Sequence, residues 1–264
     1  MKLIVSDLDG TLLEDDHSIS PRTVEMVDKL RELSVLFTVA TGRSLTASKE
    51  YIERLNISIP VILFNGARIF DPVEGKYLTE HALSRKVVET IIEKAKRQRD
   101  LTVAFFVSEE VYMYNVCLKA STYFIRDAIV YRSVEDLSDF VDQNVTKIVF
   151  AGQPYDLDKL EMELPEILEE ADVVKSEDDL LEILPKGVNK ASALKELCGI
   201  LKVPLSEVIV LGDSMNDLQM IRVAGFGIAV GKAKDEIRKS AKMYVEGKGE
   251  EALQKVYELL RRGE

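Results

Sequence analysis

The chain of 264 residues carries a net charge of −11, with 46% hydrophobic and 31% charged residues. That balance excludes a disordered chain and is that of a soluble globular protein long enough for two domains. It also excludes general nucleic-acid binding, which rests on neutralising phosphates, and no stretch approaches the roughly 20 apolar residues of a membrane span.

Residues 3–5 form a short apolar run, too brief for a helix, that drops straight into Asp7-Leu8-Asp9-Gly10-Thr11. Strand alternation points Asp7 and Asp9 to one side, with Gly10 turning the chain after them. Two carboxylates about 4 Å apart repel by roughly 4 kcal/mol at an effective dielectric near 20. The pair therefore implies a cation or a shared proton between them; a helix cap needs only one Asp. Ser20-Pro21 predicts the start of a helix with Val24, Val27, Leu30 and Leu33 on its apolar stripe. A second strand, 35–40, ends in Thr41-Gly42-Arg43, and a helix over 44–55 follows. A third strand, 61–64, ends in Asn65-Gly66, and 67–81 reads as a hairpin turning at 71–75.

From 83 to 186 the texture changes. A basic helix over 85–99 precedes a hairpin of strands at 101–107 and 111–114, then strands at 147–150 and 180–184 with a helix over 157–170, disturbed by Pro165, between them. The hairpin means antiparallel sheet, so 83–186 reads as an α+β domain inserted into a discontinuous core of 1–82 and 187–264. Pro185-Lys186-Gly187 marks the return and is a candidate hinge. The core resumes with a helix over 188–201 and a strand at 208–211 ending in Gly212-Asp213-Ser214-Met215-Asn216-Asp217. A helix at 218–224, a strand at 227–230 and a helix over 250–262 complete it.

Parallel strands joined by helices build an α/β, doubly wound parallel sheet, and such sheets bind ligands beyond the carboxyl ends of their strands. Here those ends carry Asp/Asp, Thr-Gly-Arg, Asn-Gly and Asp/Asn/Asp, a set suited to a divalent cation and an anion. A carboxylate such as Asp7 beside a cation can attack phosphorus, and Asp9 can serve as acid and base. Asp213 adds a hard oxygen ligand suited to Mg²⁺, with Asn216 and Asp217 placed to orient waters or side chains. The Thr41 hydroxyl and Gly42 N–H read as phosphate donors at a helix N-terminus. Lys190 is the best candidate for the missing cation; Lys186 is a weaker one, more simply a solvated hinge residue.

Asp7-Leu8-Asp9-Gly10-Thr11, Thr41-Gly42-Arg43, Lys190 and Gly212-Asp213-Ser214-Met215-Asn216-Asp217 resemble, in order, the four motifs of the haloacid dehalogenase superfamily. The resemblance covers essentially the whole chain. Asn65-Gly66 is usual in its Cof-type branch, and the insertion resembles a type IIB cap on a Rossmann-like core. It implies Mg²⁺-dependent phosphomonoester hydrolysis through an aspartyl-phosphate, with Asp7 as nucleophile, Asp9 as acid/base and Lys190 completing the catalytic set. It implies metal contacts from Asp7, Asp9 (through its backbone carbonyl), Asp213 and Asp217, and substrate contacts from Thr41, Gly42, Arg43, Asn65, Gly66 and Asn216. Arg43 is open to a second reading, pairing with a nearby carboxylate. Ala191 stands where many relatives have Gly. The expected substrate is a small cytoplasmic phosphate ester, a sugar phosphate first, with pyridoxal phosphate and FMN behind it. A phosphomutase is the alternative within the superfamily, and a phospho-accepting signalling module the alternative outside it. No nucleic-acid or membrane partner is expected, and a monomer or small homo-oligomer is.

Blander readings suit other residues. His17 is expected to be an exposed loop residue rather than catalytic, and His81 has no role. Tyr112, Tyr114, Tyr123 and Phe124 are expected to pack in the cap rather than line a pocket. Cys117 and Cys198 form no C-x-x-C pair; Cys198 lies on a stripe with Leu194 and Leu197 and reads as core, in a reducing cytoplasm. Met1-Lys2 leads at once into a strand, so no signal peptide is expected.

Overall fold

The computed structural model describes residues 1–116 and 130–262 and divides into two compact units. The first comprises Met1–Arg43, Ser48–Thr79 and Asn189–Glu264; the second comprises Ser44–Ala47 and Glu80–Val188.

In the first unit a five-stranded parallel sheet runs in the order Met243–Val245, Phe226–Val230, Val208–Gly212, Leu3–Ser6, Leu36–Val39. Every residue of Leu3–Ser6 and of Val208–Gly212 is buried. That explains why both read as continuous apolar runs rather than alternating ones: the central strands of a parallel sheet are covered on both faces. The helix Pro21–Glu32 begins where the sequence places it, with the Ser20 hydroxyl accepting from Thr23 N–H at 3.0 Å and proline in the first turn. Cys198 is buried in the same core cluster as Leu194 and Leu197, as expected.

The strand at 61–64 departs from expectation. Val61–Leu63 meets the parallel sheet through one bridge, Ala40 to Ile62, and pairs antiparallel with Arg68–Asp71 in a separate three-stranded sheet completed by Lys76–Glu80. The cause is the turn that follows. Phe64 and Asn65 both have positive φ, 51° and 54°, which reverses the chain and offers Val61–Leu63 the hairpin strand as a partner.

The second unit holds a six-stranded sheet in the order Ala171–Glu177, Leu180–Pro185, Val145–Ala151, Thr102–Val107, Glu110–Tyr114, Tyr131–Val134. The helix Arg85–Arg97 and the helix Pro154–Glu161 supply Val87, Val88, Ile91, Ile92, Leu157 and Leu160 to a core shared with Phe105, Ile148, Phe150 and Ile183. Tyr112 and Tyr114 pack against this core, as expected; Tyr123, Phe124 and Cys117 lie outside the described residues. The helix read over 157–170 starts earlier, at Pro154, and stops at Glu161, with a separate 3-10 turn at Pro165–Ile167. Each proline opens a turn, where its missing N–H leaves nothing unpaired. Tyr131–Val134 and Ala171–Glu177 escape the sequence reading. The first carries no buried alternation, being exposed at three of its four residues. No helix among the described residues is long and apolar enough to cross a membrane.

Candidate active site

Segments far apart in sequence meet at the carboxyl ends of the parallel strands. Leu3–Ser6 and Val208–Gly212 pair with Ser6 opposite Leu211, and the Asp7 N–H donates to the Leu211 carbonyl at 3.0 Å. Asp7 and Asp213 therefore leave adjacent strands together. Lys190 arrives from the helix Lys190–Leu201, whose start is fixed by a capping box: the Asn189 side chain accepts from the N–H groups of Ala191 and Ser192. As the first residue of that helix, Lys190 donates from Nζ to Asp7 Oδ1 at 2.5 Å and to Asp217 Oδ1 at 2.7 Å, and all three residues are buried.

Asp7, Asp213 and Asp217 each offer an oxygen within 4.8 Å of the others. The other Asp217 oxygen, Oδ2, accepts from the N–H groups of Asp213 and Ser214 at 3.1 and 3.0 Å. Asp213 accepts from Thr11 Oγ1 at 2.7 Å and Ser214 Oγ at 3.1 Å. Gly10, at φ 78°, comes so close that a Cβ there would lie 2.4 Å from Asp213 Oδ2. Only glycine closes this turn.

Electrostatics make the cluster unbalanced. Three carboxylates facing one ammonium leave two negative charges in a mostly buried space. Burial pushes the Asp7 carboxyl well above its ordinary range; Lys190 opposes that, while Asp217, Asp213 and Asp9 add to it. Burial works against the charge on Lys190, yet Asp217 and Asp7 outweigh it and hold the ammonium above the ordinary lysine range. Asp213 is pushed up to about 6 by burial and by Asp217, against the hydrogen bonds of Thr11 and Ser214. An all-oxygen donor set with a double negative excess fits a hard divalent cation.

A pH dependence follows for protein stripped of metal with EDTA. Asp213 binds its proton more tightly folded than unfolded, so between pH 3.8 and about 6 the native state holds more protons. Stability from this group therefore falls as pH rises through that window. The melting temperature of Asp213→Asn should show a flatter slope there; an unchanged slope would contradict the assignment.

Asp9 is not a member of the acidic cluster, although its charge reaches Asp7 and helps to raise it. The strand ends at Ser6, and beyond it the period of two no longer applies. The Asp9 carboxylate is gripped instead by Arg43, from Nε at 2.8 Å and Nη2 at 2.6 Å, and is absent from the acidic cluster. Burial tends to raise Asp9, but the hydrogen bonds and charge of Arg43, with His17 helping, hold it below the ordinary carboxylate range. Of the two readings of Arg43, the structure displays the pairing with a carboxylate.

Thr41 and Gly42 also lie differently from the expectation. The helix after them begins only at Leu45, so they occupy a turn ahead of it rather than its first N–H groups. Thr41 Oγ1 accepts from the Arg43 N–H at 3.1 Å, and the Thr41 carbonyl accepts from the Asn65 N–H at 3.0 Å. Asn65 in turn accepts from Asn216 Nδ2 at 3.0 Å, and a Cβ on Gly42 would sit 3.1 Å from the Asn65 amide. Gly66 packs so tightly that a Cβ would fall 2.3 Å from the Asn189 carbonyl. Its demonstrable contact is therefore with the segment that launches Lys190. Lys186 pairs with Asp172 at 2.8 Å, in keeping with the bland reading of it.

Sequence reasoning assigned no role to Thr11, Ser214, Tyr51 or His17. Thr11 and Ser214 sit inside motifs already singled out. His17 places Nδ1 3.2 Å from Asp9 Oδ1, and its side chain is 41% exposed, less than a free loop residue would be.

Comparison with known proteins gives one direction. A sequence profile of the haloacid dehalogenase-like hydrolases matches residues 4–256. An HMP-PP phosphatase from Escherichia fergusonii is 32% identical over 243 residues, spanning 90% of this chain and 86% of that protein. A haloacid dehalogenase-like hydrolase from Bacteroides thetaiotaomicron superposes with a TM-score of 0.87 at 27% identity, covering 97% of this chain and 99% of its own. A sugar phosphatase of subclass IIB superposes at 0.83 with 18% identity, covering 100% and 99%, a likeness of fold.

Proposed function

Since the chain belongs to the haloacid dehalogenase-like hydrolase family, we propose that it hydrolyses small phosphate monoesters through an aspartyl-phosphate formed on Asp7, with Mg²⁺ as its metal. That it is a phosphatase follows from the family and from its relatives. The observation that carries the finer reading is the Lys190 ammonium held 2.5 Å from Asp7 and 2.7 Å from Asp217 within the acidic cluster.

In this reading an Asp7 oxygen attacks phosphorus as the ester P–O bond breaks. Asp9, which takes up a proton once the Arg43 pairing that favours its charged form loosens, gives it to the departing alkoxide, and later takes one from the water that releases inorganic phosphate and restores Asp7. Lys190 holds the Asp7 carboxylate in place and offsets charge as phosphoryl oxygens approach. Thr41 and Gly42 are assigned to the phosphate, and Asn65, Gly66 and Asn216 to keeping that turn in register. Asp7, Asp213 and Asp217, with the Asp9 carbonyl, would hold the metal, whose charge would stabilise the transferring phosphoryl group. Arg43 is assigned to the Asp9 carboxylate before any substrate. The unit Glu80–Val188 is read as the inserted cap.

The test is phosphate release across sugar phosphates, pyridoxal phosphate, FMN and the HMP-PP of the relative's name, each with Mg²⁺ and with EDTA. Release that needs the metal supports the reading. Isomerised sugar phosphate without free phosphate would select a mutase instead, and metal-independent release would overturn the metal assignment.

A further inference from the structure

His17 is held more firmly than an idle loop residue needs to be. Its backbone adopts φ 62°, a left-handed conformation uncommon outside glycine, which asparagine, aspartate and histidine adopt more readily than other residues. Its N–H donates to the Glu14 carbonyl at 3.0 Å, and its own carbonyl accepts from the Tyr51 hydroxyl at 2.9 Å. Those ties aim the imidazole inward, where Nδ1 lies 3.2 Å from Asp9 Oδ1, the same oxygen that accepts from Arg43 Nη2. Tyr51, itself buried, also lies beneath the Arg43 guanidinium, 5.3 Å from its centre, and accepts from Nη1 at 3.5 Å. Asp9, Arg43, His17 and Tyr51 thus form one linked group, whose strained member is the histidine.

We propose that His17 is a positioning residue for Asp9, donating from Nδ1–H to Oδ1, and that Tyr51 fixes His17 in that role through its carbonyl. Arg43 grips the carboxylate edge-on through both oxygens, from one side. His17, attached to a short pinned loop, supplies a second and independent direction. Two donors from different segments fix an orientation that one does not. The inference rests on the reading of Asp9 as acid and base, and it adds a residue to which that reading gives no part.

A leaving-group comparison separates positioning of the acid from general damage. Dinitrophenolate departs without a proton, whereas phenolate needs one, so up to leaving-group departure, the part of the reaction that kcat/KM reports, only phenyl phosphate depends on a well-placed Asp9; the water attack that follows is common to both esters. In His17→Ala, kcat/KM for phenyl phosphate should fall about tenfold while kcat/KM for dinitrophenyl phosphate changes less than about twofold, a fraction of the 10²–10⁴-fold attributed to general acid catalysis. His17→Asn, which keeps a donor near Nδ1 and tolerates positive φ, should recover most of the loss. Tyr51→Phe should show the same selectivity in weaker form. Equal losses on both esters, no loss on either, or no recovery with asparagine would overturn the proposal. If Asp9→Asn is itself unselective, the acid/base reading fails and this inference with it; if Asp9→Asn is selective and His17→Ala is not, only the inference fails.

Discussion

Replacing Asp7 with asparagine should lower the rate of phosphate release by about 10⁴-fold or more, the order seen when a covalent nucleophile is removed. The amide is nearly the same size and can still meet Lys190 through its oxygen, but it forms no acyl phosphate. The fold should survive and gain. Asp7 is a buried acid pushed well above its ordinary range, and asparagine removes one of three crowded carboxylates. In EDTA the variant should melt no lower than the parent, and higher at neutral pH. Measuring release and thermal unfolding on one preparation distinguishes the cases. A variant that turns over within tenfold of the parent would remove Asp7 from the chemistry; an inactive variant that melts far lower would mean that the carboxylate is structural.

Lys190→Met should be strongly destabilising. Methionine fills much of the lysine stem's volume but leaves Asp7 and Asp217 facing each other with no cation, in a space where both are buried. Breaking a buried ion pair from one side costs about 3–5 kcal/mol. In a chain of this size that corresponds to a fall in melting temperature on the order of 10 °C. Mg²⁺ should restore part of the loss by supplying positive charge, and lowering the pH should restore part by neutralising the carboxylates. A melting temperature unchanged in EDTA at neutral pH would mean that the lysine contributes little net stability there.

The identity of the site was legible because its chemistry is written in short contiguous motifs, and the sheet because its central strands are uninterrupted apolar runs. Leu3–Ser6 and Val208–Gly212 needed no knowledge of their neighbours. What the sequence misplaced were directions rather than residues. Asp9 pairs with Arg43 instead of joining the acidic cluster: the strand has already ended, and no periodicity announces where a strand stops within a Gly-containing turn. Thr41 and Gly42 stand before the helix because the capping position falls later, at Ser44, whose hydroxyl accepts from the Ala47 N–H. Val61–Leu63 looks like any buried strand, and only the paired positive φ values at Phe64 and Asn65 send it to another sheet. Tyr131–Val134 was missed because three of its four residues are exposed and only Val134 packs against a core. The importance of His17 was hidden for a different reason: a single histidine in a polar loop has no pattern, and its meaning comes from Tyr51 and Arg43, both remote in sequence.

The pairs that close the site are among the most distant the chain makes: Lys190 reaches back 183 positions to Asp7, and Asp213 reaches back 202 to Thr11. Closing such separations is entropically slow, and a chain emerging from the ribosome cannot begin until residues 190–213 have been made. The sheet of the second unit, by contrast, has all its strands within 102–185 and can order while the core still waits. Synthesis thus passes through a stage in which Asp7 already exists, its lysine does not, and no competent phosphatase has formed. On the proposed mechanism a chain that stops before residue 190 lacks the lysine and releases no phosphate, so activity waits until residues 190–217 have been made.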